Sequence, residues 1–179
     1  CAFGLQPLAP ASVTTGVDDG LRIGASMPRR AAARDLRGNQ RALRELAGDE
    51  ATVLAFLGID CPLANLYAPR LVSLEARYRE RGVRFLAVYS NETETLPAVA
   101  AHALDKEFPF VVLRDFGQRL ADQLGVDRTP EVVVFDGKGY LRYRGRIDDQ
   151  YSAAGRKAAP ENEDLVHALD ELLEGKRVT

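Results

Sequence analysis

The run Thr52-Val53-Leu54-Ala55-Phe56-Leu57 is continuously apolar, β-branched or aromatic at its centre, and is stopped by Gly58-Ile59-Asp60. It does not alternate, so it reads as a strand buried on both faces, and such strands belong to parallel or mixed sheets covered by helices. Directly after it come Cys61-Pro62 and a segment, 62–79, in which Leu63, Leu66, Tyr67, Leu71, Leu74 and Tyr78 recur at steps of three and four. That spacing predicts an amphipathic helix with one stripe on a core. Pro69 lies inside the helix and has no N–H for the Asn65 carbonyl, which predicts a kink after the first turns.

Further elements follow from the same signals. A second buried strand is predicted at 83–89, and a helix at 96–107 with Leu96, Val99, Ala100 and Leu104 on its apolar side. A short strand at 110–113 precedes a short helix at 117–124, closed by Gly125 in the usual left-handed stop position. Strands at 131–135 and 140–144 flank Asp136-Gly137-Lys138-Gly139, a hairpin signal. The last helix, 163–174, presents Leu165, Ala168, Leu169, Leu172 and Leu173 on one face and carries acidic residues in its first turn. Before the core, 30–34 fits a short strand, 35–39 a turn and 41–46 a helical turn. The order β-α-β followed by β-β-α is that of thioredoxin, an α/β fold with a central mixed β-sheet flanked by helices.

At 179 residues and 46% hydrophobic content the chain can close one core. Residues 1–19 mix Pro, Ser, Thr and Gly without period and read as an extended leader or tether, leaving 20–179 as the domain. A net charge of −2 provides no basic field to draw in nucleic acid. No apolar run approaches the roughly 20 residues of a membrane-spanning helix.

Two cysteines, Cys1 and Cys61, are too few for a disulfide framework and too far apart for a zinc knuckle. A first-residue Cys matches mature bacterial lipoproteins, in which that residue carries the lipid anchor, and trimming is the alternative origin. The expected location is extracytoplasmic, periplasmic or secreted. Cys61 ends a core strand and precedes a Pro suited to the first helical position, so its sulfur is expected over unpaired backbone N–H groups at the positive helix end. A thiolate is stabilised there, and the thiolate is the nucleophile.

The segments Phe56-Leu57-Gly58-Ile59-Asp60-Cys61-Pro62 and Arg128-Thr129-Pro130-Glu131-Val132-Val133-Val134-Phe135 resemble the redoxin family, the alkyl hydroperoxide reductase and thiol-specific antioxidant branch of the thioredoxin superfamily. The likeness runs from about Gly20 to Val178, and Tyr143-Arg144-Gly145-Arg146-Ile147-Asp148-Asp149-Gln150 resembles a bacterial subgroup often found with secreted or cytochrome-linked proteins. The resemblance implies a cis Pro130 facing Cys61, with Thr129-Pro130 as the substrate-facing loop; Arg128, beside that loop, is either a cation near the thiolate, as in peroxiredoxins, or a solvated loop cation. The sequence departs from the relatives in two ways. Ala64 and Asn65 stand where a second cysteine would complete CxxC or CxxxC, which rules out a dithiol reductase acting within one motif. Leu54 and Gly58 stand where the peroxiredoxin pattern places Pro and Thr.

One reactive thiol then needs a resolving partner: an external thiol, a second subunit, Cys1, or a segment beyond Thr179. The expected activity is thiol-dependent oxidoreduction of a peroxide or protein disulfide through Cys61, with an external thiol reductant or redox partner protein. The alternative is a binding or electron-chain accessory module without turnover of its own. No cofactor is expected, and His102 and His167 show no metal-ligand spacing. Asn65, one turn past Cys61, is either a donor to a bound oxygen or an exposed helical amide. Asn91, at the end of the second core strand, is either a functional loop residue or a turn former. Asp148 and Asp149 with Arg144 and Arg146 are expected to form a surface ion-pair cluster.

Overall fold

A computed structural model describes residues 20–152 and 155–179, so the leader at 1–19 and Cys1 lie outside the described residues. Seven strands form one sheet in the order β2-β1-β5-β4-β3-β6-β7. At its centre are β3 (Ala51–Leu57) and β4 (Val83–Tyr89), paired in parallel with Leu57 opposite Tyr89. β5 (Val111–Arg114) extends the parallel side, and β6 (Glu131–Asp136) and β7 (Leu141–Gly145) add an antiparallel hairpin on the other. Every residue of β3 is buried, as its unbroken apolar run requires. β1 (Ala32–Asp35) and β2 (Gln40–Ala42) add an antiparallel pair beside β5, so the predicted helical turn at 41–46 begins as strand and becomes a 3-10 turn only at Leu43–Leu46.

Two cores lie on opposite faces of the sheet. One gathers Val53, Tyr67, Leu71, Tyr78, Tyr89, Val99, Leu165 and Leu169. The other gathers Leu54, Phe56, Leu86, Val88, Leu120, Leu124 and Phe135. Helix α1 (Pro62–Tyr78) runs without interruption through Pro69 and buries Ala64, Tyr67, Ala68, Leu71, Leu74 and Tyr78. Leu66, assigned to that stripe from spacing, is exposed instead.

In α2 (Leu96–Asp105) the inward line is Val99 and Ala103, and Leu104 is 81% exposed, so the apolar face is turned by one residue from the expected one. That rotation also turns His102 inward. α3 (Arg119–Leu124) closes at Gly125 in the left-handed conformation, and α4 (Asp164–Leu173) packs on β7. A two-stranded ribbon of β8 (Tyr151–Ser152) and β9 (Gly155–Arg156), unread in the sequence, follows β7.

Candidate active site

The carboxyl end of β3 delivers Gly58, Ile59 and Asp60 into a turn that Cys61 ends. Cys61 has extended backbone angles and is the N-cap of α1, with Pro62 opening the helix. Its Sγ accepts the Ala64 N–H at 3.4 Å, satisfying one of the helix-end donors, and donates to the Thr129 carbonyl at 3.3 Å. The side chain is partly exposed. Thr129 belongs to the loop that enters β6, and the Thr129-Pro130 bond is cis, as expected. Because Phe56 pairs with Glu131, that loop arrives at the same end of the sheet as the Cys61 turn. A partly open sulfur over a helix N-terminus is placed to meet an oxygen or sulfur electrophile, and the Thr129 carbonyl holds its S–H while it is protonated.

The three remaining sequence candidates separate. Arg128 adjoins the loop, but its guanidinium is exposed and bonded to Asp127 at 2.9 Å. With Thr129 and Asn91 it lines a cavity of about 390 Å³. Asn65 is neither an exposed amide nor free to meet a bound oxygen. Its Nδ2 donates to Ile59 O at 2.8 Å and Cys61 O at 3.1 Å, tying down the turn that presents the sulfur.

His102, assigned no role from sequence, stands behind it: Nε2 lies 2.7 Å from Asn65 Oδ1 and Nδ1 lies 2.7 Å from the buried Tyr89 hydroxyl. With the Asn65 nitrogen committed to two carbonyls, its oxygen takes the Nε2 proton and leaves Nδ1 to accept from Tyr89, so the imidazole is neutral. Burial, reinforced by Lys106, holds its pKa below the ordinary histidine value. His102 could have been flagged from its i+3 relation to Val99 once the buried face of α2 was set correctly.

On the other side of the turn stands Glu94, 6% exposed, whose Oε1 accepts the Ile59 N–H at 2.7 Å and the Asn91 side-chain N–H at 3.0 Å. Its loop is gripped by Arg114 at the end of β5. This 1% exposed guanidinium donates to the carbonyls of Tyr89, Asn91, Glu94 and Asp115 at 2.5–2.8 Å. Asp115 is buried too, and caps α3 through the N–H groups of Leu120 and Ala121. Glu131, next to Pro130, has its pKa raised by burial, and its Oε2 is buried without a hydrogen-bond partner among the described residues.

The expected surface cluster of Arg144, Arg146, Asp148 and Asp149 does not form. Asp148 is buried and accepts from the Tyr67 hydroxyl at 2.6 Å, from Gln150 N at 2.8 Å and from Arg70, which pins the segment after β7 to α1. Asp149 pairs with Lys157, Arg146 with Asp164, and Arg144 reaches the Leu124 carbonyl. Sequence neighbours were dispersed because alternate residues of an extended segment face opposite ways.

A mixed sheet with helices on both faces, a cysteine capping the first core helix and a cis Thr-Pro loop against it define a thioredoxin-like fold. The chain matches the redoxin family over residues 22–158 and belongs to it. It is 31% identical over 107 residues to the thiol-disulfide oxidoreductase ResA of Halalkalibacterium halodurans, a match covering 60% of this chain and 59% of that protein. The chain thus spans about three-fifths of the length of the curated relatives it matches. A crystal structure of an uncharacterized conserved protein from Geobacillus kaustophilus is similar with a TM-score of 0.80 and 30% identity, covering 89% of this chain and 86% of that one. A hypothetical protein from Sinorhizobium meliloti follows at 0.75 and 28%, covering 92% and 89%.

Proposed function

We propose that the chain is a thiol-dependent oxidoreductase in which the Cys61 sulfur attacks a disulfide or a peroxide and an external thiol completes the cycle. The observation that carries this reading is the place of Cys61: partly exposed, capping α1 and 3.3 Å from the Thr129 carbonyl. The likeness to a thiol-disulfide oxidoreductase supports the same chemistry. On a disulfide, the thiolate forms a bond to one sulfur and the other leaves as a thiolate, giving a mixed disulfide on Cys61. Ala64 and Asn65 cannot resolve it, so a thiol from outside the motif does. Thr129 and Pro130 present the loop backbone to the incoming group, and Arg128 places a cation at the rim. The extracytoplasmic location belongs to this reading, because disulfides persist in oxidising compartments.

The missing second cysteine is the observation that favours the accessory-module alternative. Consumption of a peroxide and of a disulfide, each with and without a supplied thiol, decides between them. Turnover that needs the thiol and is abolished by Cys61→Ser is the expected result. Turnover surviving Cys61→Ser would refute the assignment of Cys61, and a wild-type chain inert in both assays would leave the accessory module.

A further inference from the structure

Three groups converge on the open side of Gly58. A Cβ built on this residue would lie 2.7 Å from Asn91 Nδ2, 3.4 Å from Cys61 Cβ and 3.5 Å from Thr129 Oγ1. Any other residue there would have to displace the Asn91 amide, whereas the glycine hydrogen leaves that space open.

The Asn91 amide is oriented before any substrate arrives. The Glu94 carboxylate only accepts hydrogen bonds, so the amide nitrogen and not its oxygen has to face it. One N–H is used in that bond. The second has no acceptor among the described residues, and neither has the Thr129 hydroxyl. Glu94 is in turn held by Ile59 N–H, and its loop by the Arg114 guanidinium. Two free donors on fixed backbones, gathered around Gly58 together with the Cys61 side chain, have the form of a site that stabilises charge developing on an oxygen.

We propose that Asn91, with the Thr129 hydroxyl, is a catalytic hydrogen-bond donor to the leaving oxygen of a hydroperoxide attacked by the Cys61 sulfur, and that it directs the site toward hydroperoxides. The inference rests on Cys61 being the reacting group. The sulfur attacks the terminal oxygen of ROOH; an S–O bond forms and the O–O bond breaks. Cysteine is oxidised to the sulfenic acid, the peroxide is reduced to ROH, and the thiol proton ends on the leaving oxygen. Asn91 and Thr129 donate to the leaving oxygen as charge builds on it. A cavity of about 390 Å³, lined by Asn91 and Thr129 though not by Cys61, has room for R on the leaving oxygen. A disulfide sulfur is a weak acceptor, so the same donors give it little.

The test compares second-order rates of Cys61 with cumene hydroperoxide, dithiodipyridine and iodoacetamide in wild type, Asn91→Ala, Asn91→Ser and Thr129→Val, each checked for an intact melting transition. For Asn91→Ala the hydroperoxide rate should fall about 10- to 100-fold, the worth of one hydrogen bond to a charged group, while the other two electrophiles stay within about twofold. Asn91→Ser, which keeps a donor, should recover part of the loss, and Thr129→Val should repeat the selectivity. An equal fall for all three electrophiles, or an unchanged hydroperoxide rate, overturns the inference. A wild-type chain that reacts with the disulfide and not with the hydroperoxide also overturns it while leaving the proposed function standing. Failure with all three electrophiles sinks both.

Discussion

Replacing Asn65 with Ala would measure how firmly the Cys61 turn is held. The substitution removes the bonds to Ile59 O at 2.8 Å and Cys61 O at 3.1 Å, and it takes away the acceptor 2.7 Å from His102 Nε2. At about 0.5–1.5 kcal/mol net for each of these three bonds, the loss is about 1.5–4.5 kcal/mol. Alanine's better helix propensity returns about 0.5 kcal/mol of that. For a domain of this length the remainder, about 1–4 kcal/mol, lowers the melting temperature by about 2–16 °C. Thermal unfolding followed by circular dichroism reads the shift.

The double variant Asn65→Ala/His102→Ala shows whether the two residues act as a unit. In a shared network the combined loss departs from the sum of the single losses by more than about 0.5 kcal/mol. A melting temperature unchanged in Asn65→Ala, or strict additivity of the pair, would refute the claim that His102 holds the turn through Asn65.

Three further predictions concern other parts of the molecule. Asp148→Asn sets an amide N–H against Arg70, or turns its donor toward Tyr67 and Gln150, and should cost about 2–3 kcal/mol in urea unfolding; a loss under about 0.5 kcal/mol would deny the anchor. Burial lowers the His102 pKa and raises that of Glu131, so their linkages oppose. The stability tied to neutral His102 is present above its unfolded value of 6.5 and is lost as pH falls toward the depressed folded value. That tied to protonated Glu131 is present below its unfolded value of 4.5 and is lost as pH rises through the raised one. His102→Phe should flatten the acid slope and Glu131→Gln should raise stability at neutral pH, and a His102→Phe slope equal to wild type would contradict the burial argument. Ala64→Cys should let mild oxidant close a disulfide between Cys61 and the introduced thiol, seen as loss of two hydrogens by mass spectrometry, at an overpacking cost of about 1–3 kcal/mol for the buried position. Persistence of a sulfenic acid on that variant would show that the motif geometry cannot bridge.

The parts of the site legible in the sequence are those written locally. An unbroken apolar run, a Cys-Pro step and a Thr-Pro step each carry their own chemistry, and all three fell where the chain pattern put them. What was not legible depends on which helix face turns inward and on which distant residues meet. A one-residue error in the buried face of α2 hid His102. The pairing of Asp148 with Tyr67 and Arg70 spans about eighty residues and has no sequence period to reveal it. Arg114 gave the clearest overlooked signal, a cation directly following Val111-Val112-Leu113, where a buried strand leaves little room for an unpaired charge.

The way Arg114 grips the β4–α2 loop bears on how such a site can diversify. Its four acceptors are all main-chain carbonyls, and every residue type supplies one. The clamp is therefore indifferent to side-chain identity between Ser90 and Thr95, and exposed positions such as Glu92 and Thr93 can drift without loosening the loop. Asn91 is the residue of that loop whose amide closes on Gly58 beside the Cys61 side chain, so a single codon change there can retune the chemistry offered to Cys61 while the scaffold stays in place. A fold built this way separates holding the loop from choosing the reaction, and lineages can explore the second without risking the first.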